Sequence, residues 1–456
     1  MKAKDNWEAR VLAMRPFSPQ RAAFASGADS VGDFLERCLA AIDELEPEIG
    51  AFVHVNREGA RADAARSNAR WKAGKPLSVI DGMPVGIKDI VETIDMPTEM
   101  GSPLYKGWRS LRDAATVAAL REAGAVVLGK TATTEFAATY PASTRNPHDL
   151  TRTPGGSSSG SAAGVAAGMI SAGLGTQVVG SIIRPASFCG CVGFKPSLGA
   201  LNRGGSHDAL SQSVHGALAA SLEDAWSFCW AIAQRAGGDP GFPGLAGPEA
   251  MPHAKQPLTL AVLETAGWEL ASEEAKTGFE DFVERLRAEN VAIVSRHNNP
   301  LVAEIENELT KARDITDRVN AWESRWPLNT YREKNAEGLS RHMLERLGHA
   351  QGMTPEMYRR ALSERSRLRI AYARLAAFAE GAITLSAIGA APQGLESTGN
   401  PIFAVAGSAL GIPAVSLPFL FDQGLPLGLQ VLGFEQQDAA LIATAVWIRD
   451  YVGSAA

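Results

Sequence analysis

At 456 residues, with 45% hydrophobic and 21% charged side chains, the chain has the composition of an ordinary folded globular protein. Its formal net charge of −6 is spread without long runs of one sign, which leaves no footing for nucleic acid or an anionic membrane surface. The opening MKAKDNWEARVLAMRPFSPQ has no apolar core, so no secretory signal is expected, and no window is apolar enough to span a membrane.

In chain order, SVGDFLERCLAAIDEL (30–45) predicts an amphipathic helix with Val31, Phe34, Leu35, Cys38, Leu39, Ile42 and Leu45 on one face. Ser30 and Asp33 suggest a capping box at its start. A second, Ala/Arg-rich helix is expected over 57–72, stopped by Gly74 and Pro76. DAATVAALREAG follows as a helix with Asp113 as its expected N-cap. Strand-like runs alternate with helices to about residue 230, which argues for an α/β sheet covered by helices. A Gly/Pro-rich loop precedes two further strands, LTLAVLE and VAIVSRH. A long charged helix is expected over 354–380, capped by Thr354 with Pro355 at its first position. The last quarter returns to strands in AITLSAI, PAVSLPFLF and LPLGLQVLGF. No repeat and no shift of composition divides the chain, so one domain over 1–456 is expected.

Cys38, Cys189, Cys191 and Cys229 lack paired ligand spacing and read as buried free thiols in a reduced cytoplasm. The eight histidines are scattered, with no pair at metal-ligand spacing.

Two motifs compete for the chemistry. GAVVLGKT (124–131) matches the phosphate-loop pattern G-x-x-x-x-G-K-[ST], but such a loop needs a strand before it and a helix starting at the lysine. Here Gly124 ends a helix and Ala125–Leu128 is a strand-forming run, which would leave Lys130 and Thr131 just past a strand end. The nucleotide reading fails on that context. TPGGSSSGSAAGVAAG also contains G-x-S-x-G, which would name Ser158 as a hydrolase nucleophile. The required upstream strand is missing, since STRNPHDLTRTP is polar and broken by proline.

Three segments taken together give a better account. DGMPVGIKDI carries Lys88, PGGSSSGSAAGVAAG carries Ser157, and GLGTQVVGSIIRPASFCGCVGFKPS carries Ser181. The arrangement resembles the amidase signature family of serine hydrolases, strongly over about 30–230 and more loosely to the C-terminus. The resemblance implies one α/β domain, a mixed twisted sheet with helices on both faces, its signature core at about 75–230. Residues from about 255 to 456 would contribute to the substrate pocket. It also implies an amidase with no metal and no cofactor, a small-molecule amide as substrate, a cytoplasmic location and a homodimer.

By the same resemblance Ser181 attacks the carbonyl, Ser157 relays its proton in a cis peptide bond, and an unprotonated Lys88 accepts it. The interval to Ser181 selects Ser157 over Ser158 and Ser159. An ordinary lysine with pKa near about 10.4 is a poor base at neutral pH, so Lys88 must be buried to serve. The backbone amides of Val178, Val179, Gly180 and Ser181 would form the oxyanion site. Arg184 is expected either to bind a substrate carboxylate or to pair with an acidic side chain of the scaffold. Thr398, Asn400 and Phe403 are expected to line the substrate site.

Three departures from the family pattern qualify this. Val179 stands where glycine or alanine is usual: a left-handed backbone there would strain valine, whereas an ordinary one would let it narrow the pocket. Gln177 replaces an aspartate, and Ser213-Val214 replaces a frequent Asp-Thr pair. Two rival readings therefore stand beside the amidase: a glutamine-hydrolysing component of a transamidating complex, and a non-catalytic binding protein on the same fold.

Overall fold

Eleven strands account for the apolar runs of the sequence. In chain order they are β1 (Phe52–Val55), β2 (Pro84–Lys88), β3 (Val126–Thr131), β4 (Ala172–Gln177), β5 (Val192–Lys195) and β6 (Val214–Ala219). They continue with β7 (Thr259–Val262), β8 (Ala292–Val294), β9 (Ala382–Leu385), β10 (Ala414–Asp422) and β11 (Leu425–Leu432). In the computed structural model, which describes residues 12–452, they form one sheet in the order β1-β3-β2-β4-β6-β5-β10-β11-β9-β7-β8. The start of the N-terminal stretch considered above lies outside the described residues.

The sheet is mixed. β3, β2 and β4 run parallel, as do β9, β7 and β8, and the remaining neighbours are antiparallel. Every residue of β2, β3, β4, β5, β6 and β9 is buried. A strand buried along its whole length has both faces covered, which is the arrangement of a single α/β domain with helices on either side of its sheet.

The predicted helices fall where their periodicity placed them. Val31–Ile49 buries the expected face, and Ser30 Oγ accepts the Asp33 N–H at 3.0 Å. Arg57–Lys72 forms the second helix. Pro355–Ala373 starts at the Thr354 cap, and a 3-10 turn over Arg374–Ala377 then ends the expected longer helix early. Asp113 is not a cap. The helix is Ala115–Glu122, and Asp113 turns away to accept the Ile94 N–H at 2.8 Å and to pair with Arg121 at 3.0 Å.

Lys130 and Thr131 also differ from expectation, because β3 continues through them. Lys130 is fully buried, paired with Asp89 at 3.1 Å and bonded to Thr98 Oγ1 at 2.7 Å, so its amine is a scaffold group. Three helices between β8 and β9 went unread in the sequence: Pro300–Leu309, Ala312–Asn335 and Arg341–Gln351. Leu328, Tyr331, Leu339, Met343 and Leu347 form their own apolar cluster against Tyr105 and Phe136. The four cysteines are buried and free, and no helix among the described residues is long and apolar enough to cross a membrane.

Candidate active site

Lys88 is the last residue of β2, held between the parallel neighbours β3 and β4. The β2–β4 register pairs Ile87 with Leu174, which brings Lys88 level with the end of β4. There its Nζ lies 2.7 Å from Ser157 Oγ, 2.8 Å from Thr176 Oγ1 and 3.5 Å from the Thr176 carbonyl. The amine is fully buried, and loss of water lowers its pKa to about 7 against an opposing pull from Asp208.

Ser157 arrives from a different direction. Gly155 sits at φ +81°, a left-handed conformation open to glycine, and the Gly156–Ser157 peptide is cis. The helix Ser159–Ala166 follows, with every residue buried. Its small residues are a packing requirement: a Cβ on Gly160 would stand 2.1 Å from the Ala51 carbonyl and 2.4 Å from the Ala132 nitrogen. The Ser158 N–H donates to the Ser181 carbonyl at 3.4 Å, which joins the serine loop to the turn after β4.

That turn is built by Gln177. Its Oε1 accepts the N–H groups of Ile182 (2.8 Å) and Ile183 (3.0 Å), at the start of the helix Ile183–Cys189. Its Nε2 donates to Ser408 Oγ at 2.9 Å, and Ser408 Oγ donates to the Val179 carbonyl at 2.7 Å. The Gln212 amide donates to the Val178 carbonyl at 3.1 Å. With the carbonyls so anchored, the N–H groups of Val179, Gly180 and Ser181 have no acceptor among the described residues. Unpaired amides beside a hydroxyl are what an oxyanion needs.

Val179 does not take a left-handed backbone. The branched side chain therefore sits without backbone strain, half-buried against an apolar cluster that includes Ile183, Ala404 and Val405 and facing the cavity. The cavity measures about 870 Å³ and is bounded by Val178–Ser181, by Phe136, by Asp208 and by Thr398. Its far wall comes from the helices Ala312–Asn335 and Arg341–Gln351, with the Tyr331 ring stacked on Phe136 at 4.0 Å.

The expected substrate-binding residues separate. Arg184 and Thr398 border the cavity, but the Arg184 guanidinium is directed at the scaffold. It donates to the Gly156 carbonyl at 2.6 Å, to Thr398 Oγ1 at 2.9 Å and to the Gly399 carbonyl at 2.8 Å. Of its two expected partners, the acidic side chain is absent: its acceptors are neutral, and burial lowers its pKa to about 9. Asn400 and Phe403 do not border the cavity. Asn400 Oδ1 accepts the Ile402 N–H at 3.1 Å to start a helix, and Phe403 is wholly buried in the core. Phe403, which fills the core, has no free face for a ligand, whereas Asn400 is half-buried.

Several contributors carried no signal in the sequence. Thr176 and Asp208 act through hydrogen bonds that no local motif encodes, and Gln177 showed only as a departure from the family's aspartate. Arg346 borders the cavity with no hydrogen bond or direct ion pair among the described residues, and feels Asp317 and Asp208 at longer range. A cap at Ser340 marks the helix that carries Arg346, but nothing in its pattern says which face meets a site.

Known proteins share the sequence family and the fold. The Amidase family model matches residues 33–442. A glutamyl-tRNA(Gln) amidotransferase subunit of Anaeromyxobacter sp. (strain K) is 33% identical over 93% of this chain and 93% of its own length. The corresponding amidotransferase subunit of Myxococcus xanthus is 31% identical over 93% and 94% respectively. Among solved structures, an amidase superposes with a TM-score of 0.83 at 26% identity, covering 96% of this chain and all 100% of the other. The peptide amidase PAM, in complex with the competitive inhibitor chymostatin, gives 0.80 at 25% identity over 96% and 97%. Sequence and fold thus agree across nearly the whole length, and the chain belongs to the amidase family, hydrolases of amide C–N bonds.

Proposed function

We propose that the protein hydrolyses a small or mid-sized carboxylic amide to the acid and ammonia or an amine, through an acyl-enzyme on Ser181. The observation that carries this reading is the buried contact of 2.7 Å between Lys88 Nζ and Ser157 Oγ, beside the cavity that Ser181 borders. With its pKa lowered to about 7, the lysine can shed its proton near neutrality and act as a base.

In this mechanism Ser181 Oγ forms a bond to the amide carbon as its proton passes to Ser157, whose own proton passes to Lys88 Nζ. The amides of Val179, Gly180 and Ser181 receive the negative charge on the former carbonyl oxygen. The proton returns through Ser157 to the leaving nitrogen as the C–N bond breaks. Water then attacks the ester and gives its proton to the same relay, which returns it to Ser181 Oγ as the C–O bond breaks and the acid is released. The triad Lys88, Ser157 and Ser181 needs neither metal nor cofactor.

The first test is intact-mass spectrometry after exposure to a broad fluorophosphonate, with wild type beside Ser181→Ala and Lys88→Ala. One adduct on wild type, absent from both variants, is the expected result; an unmodified wild type would overturn the serine reading. A panel of amides comes next, and it includes amides bearing a carboxylate because Arg346 is a cavity arginine without a direct partner among the described residues.

A second reading, a glutamine-hydrolysing component of an amidotransferase complex, is favoured by the identity of 33% to an amidotransferase chain over nearly the full length. Co-purification from its host with partner chains, and glutaminase activity that depends on them, would support it over a free-standing amidase. A protein that acts alone as a homodimer would not.

A further inference from the structure

Lys88 Nζ, in its neutral form, has two N–H donors and one lone pair. For the relay to run, that lone pair must face the Ser157 hydroxyl. Three oxygens surround the amine, and two belong to Thr176. The Thr176 carbonyl can only accept. The Thr176 hydroxyl could do either, and if its hydrogen pointed at Nζ it would capture the lone pair and turn it away from Ser157.

Asp208 removes that option. Its Oδ2 accepts the Thr176 hydroxyl at 2.8 Å, and among the described residues no other acceptor holds that hydrogen. Thr176 Oγ1 is thereby reduced to an acceptor, both N–H groups of Lys88 are drawn to Thr176, and the remaining lone pair falls on Ser157. Asp208 is 7% exposed, borders the cavity and is steadied by a 3.4 Å bond from its own N–H to Ser206 Oγ.

We infer that Asp208 is a positioning residue of the amidase reaction, which through the Thr176 hydroxyl aims the lone pair of Lys88 at Ser157. This rests on the serine–lysine reading of the site. The same carboxylate attracts the protonated amine, so Asp208 also opposes the loss of charge that burial imposes on Lys88. That keeps the lysine able to hold the proton until the leaving nitrogen takes it.

The other ionisable groups near Lys88 and Asp208 do not substitute for it. His207, on the same loop, faces Glu92 at 3.3 Å. His215, on β6 opposite Thr176, is wholly buried with its pKa lowered to about 3, and is therefore neutral. Asp89 and Lys130 pair with each other beyond β2. Tyr331 and Arg346 come from the far wall, where both feel Asp208 at longer range, and burial raises the tyrosine's pKa.

The test is the rate of fluorophosphonate labelling of Ser181, followed by intact mass from about pH 5 to 9. Wild type, Asp208→Asn and Asp208→Ala are compared, with thermal melts as a check on folding. Asparagine still accepts from Thr176 but carries no charge, so the acid limb of its profile moves to lower pH by about one unit. Alanine frees the Thr176 hydroxyl, and its plateau rate falls about tenfold further than that of the asparagine variant. Thr176→Val, whose side chain cannot accept from the lysine, also lowers the plateau and stands in if Asp208→Ala does not fold. A plateau for Asp208→Ala no lower than that of Asp208→Asn overturns the aiming role, and an acid limb that stays in place in Asp208→Asn overturns the charge effect, each while leaving the serine reading intact. A wild type that takes no adduct overturns both.

Discussion

Arg184 Nη2 donates to the Gly156 carbonyl at 2.6 Å, so the helix that follows Ser181 holds the peptide that carries Ser157. One guanidinium thereby ties the two serine loops together, and it also fastens Thr398 and Gly399 across the cavity floor. Arg184→Met would leave three acceptors in a dry site without their donors, each omission costing about 1–3 kcal/mol. The expected outcome is a melting temperature lower by several degrees and labelling of Ser181 reduced at least tenfold. For a residual active fraction, an unchanged KM with a fallen kcat would mark a clamp, whereas a KM raised for carboxylate-bearing amides alone would mark a substrate ligand.

The pH dependence follows from Lys88. Its folded pKa of about 7 lies below the ordinary lysine value, and the active form is the unprotonated one. Labelling and turnover therefore rise with pH through about 7 and level above it. A midpoint near about 10 would mean that the amine is not desolvated in solution.

Stability has its own pH dependence with the same origin. Between about 7 and 10.4 the unfolded chain binds a proton at Lys88 that the folded chain does not, so stability rises with pH across that window. Lys195, buried with a pKa of about 7, adds a slope of the same sign. Lys88→Met removes one contribution: the variant should be more stable than wild type at pH 7, by up to about 4 kcal/mol, with about half that gain at pH 9. Urea midpoints of the two proteins at both pH values check this, and a less stable variant at pH 7 would contradict it.

Val179 has an ordinary backbone, so Val179→Gly is not a repair of a strained loop. It removes a side chain from the cavity wall and adds backbone freedom next to the oxyanion amides. The prediction is acceptance of bulkier acyl groups, with kcat/KM on small amides lowered by less than about tenfold. A gain of several orders of magnitude on small amides would show instead that valine blocks the site.

The Asp89–Lys130 pair is wholly buried, and burial raises the Asp89 pKa and lowers that of Lys130. Asp89→Ala would strand the lysine in the core, at a cost of about 3–5 kcal/mol read from denaturant unfolding. Because the amine lies inside β3 and is already paired, ATP and GTP should leave the melting temperature of wild type unchanged.

Much of this protein is written locally. The amphipathic face of Val31–Ile49, the caps at Ser30 and Thr354 and the β-branched run of β3 depend on neighbours a few residues away, and the sequence alone places them. The segments bearing Lys88, Ser157 and Ser181 were legible only through their resemblance, taken together, to the amidase signature. Asp113 misled because its carboxylate has a better partner in Ile94, far along the chain, than in the next turn of helix.

What only the tertiary structure decided lies between segments. The pairing of β2 with β4 sets Thr176 beside Lys88, the loop after β5 brings Asp208 to Thr176, and Arg184 is held by two carbonyls and a hydroxyl in place of an acid. The far wall, with Tyr331 and Arg346, comes from two helices that went unread in the sequence, Ala312–Asn335 and Arg341–Gln351. Periodicity and caps report local free-energy preferences, whereas the choice of partner for a buried hydroxyl, amide or guanidinium is made when distant strands close around it and water is no longer available as the alternative.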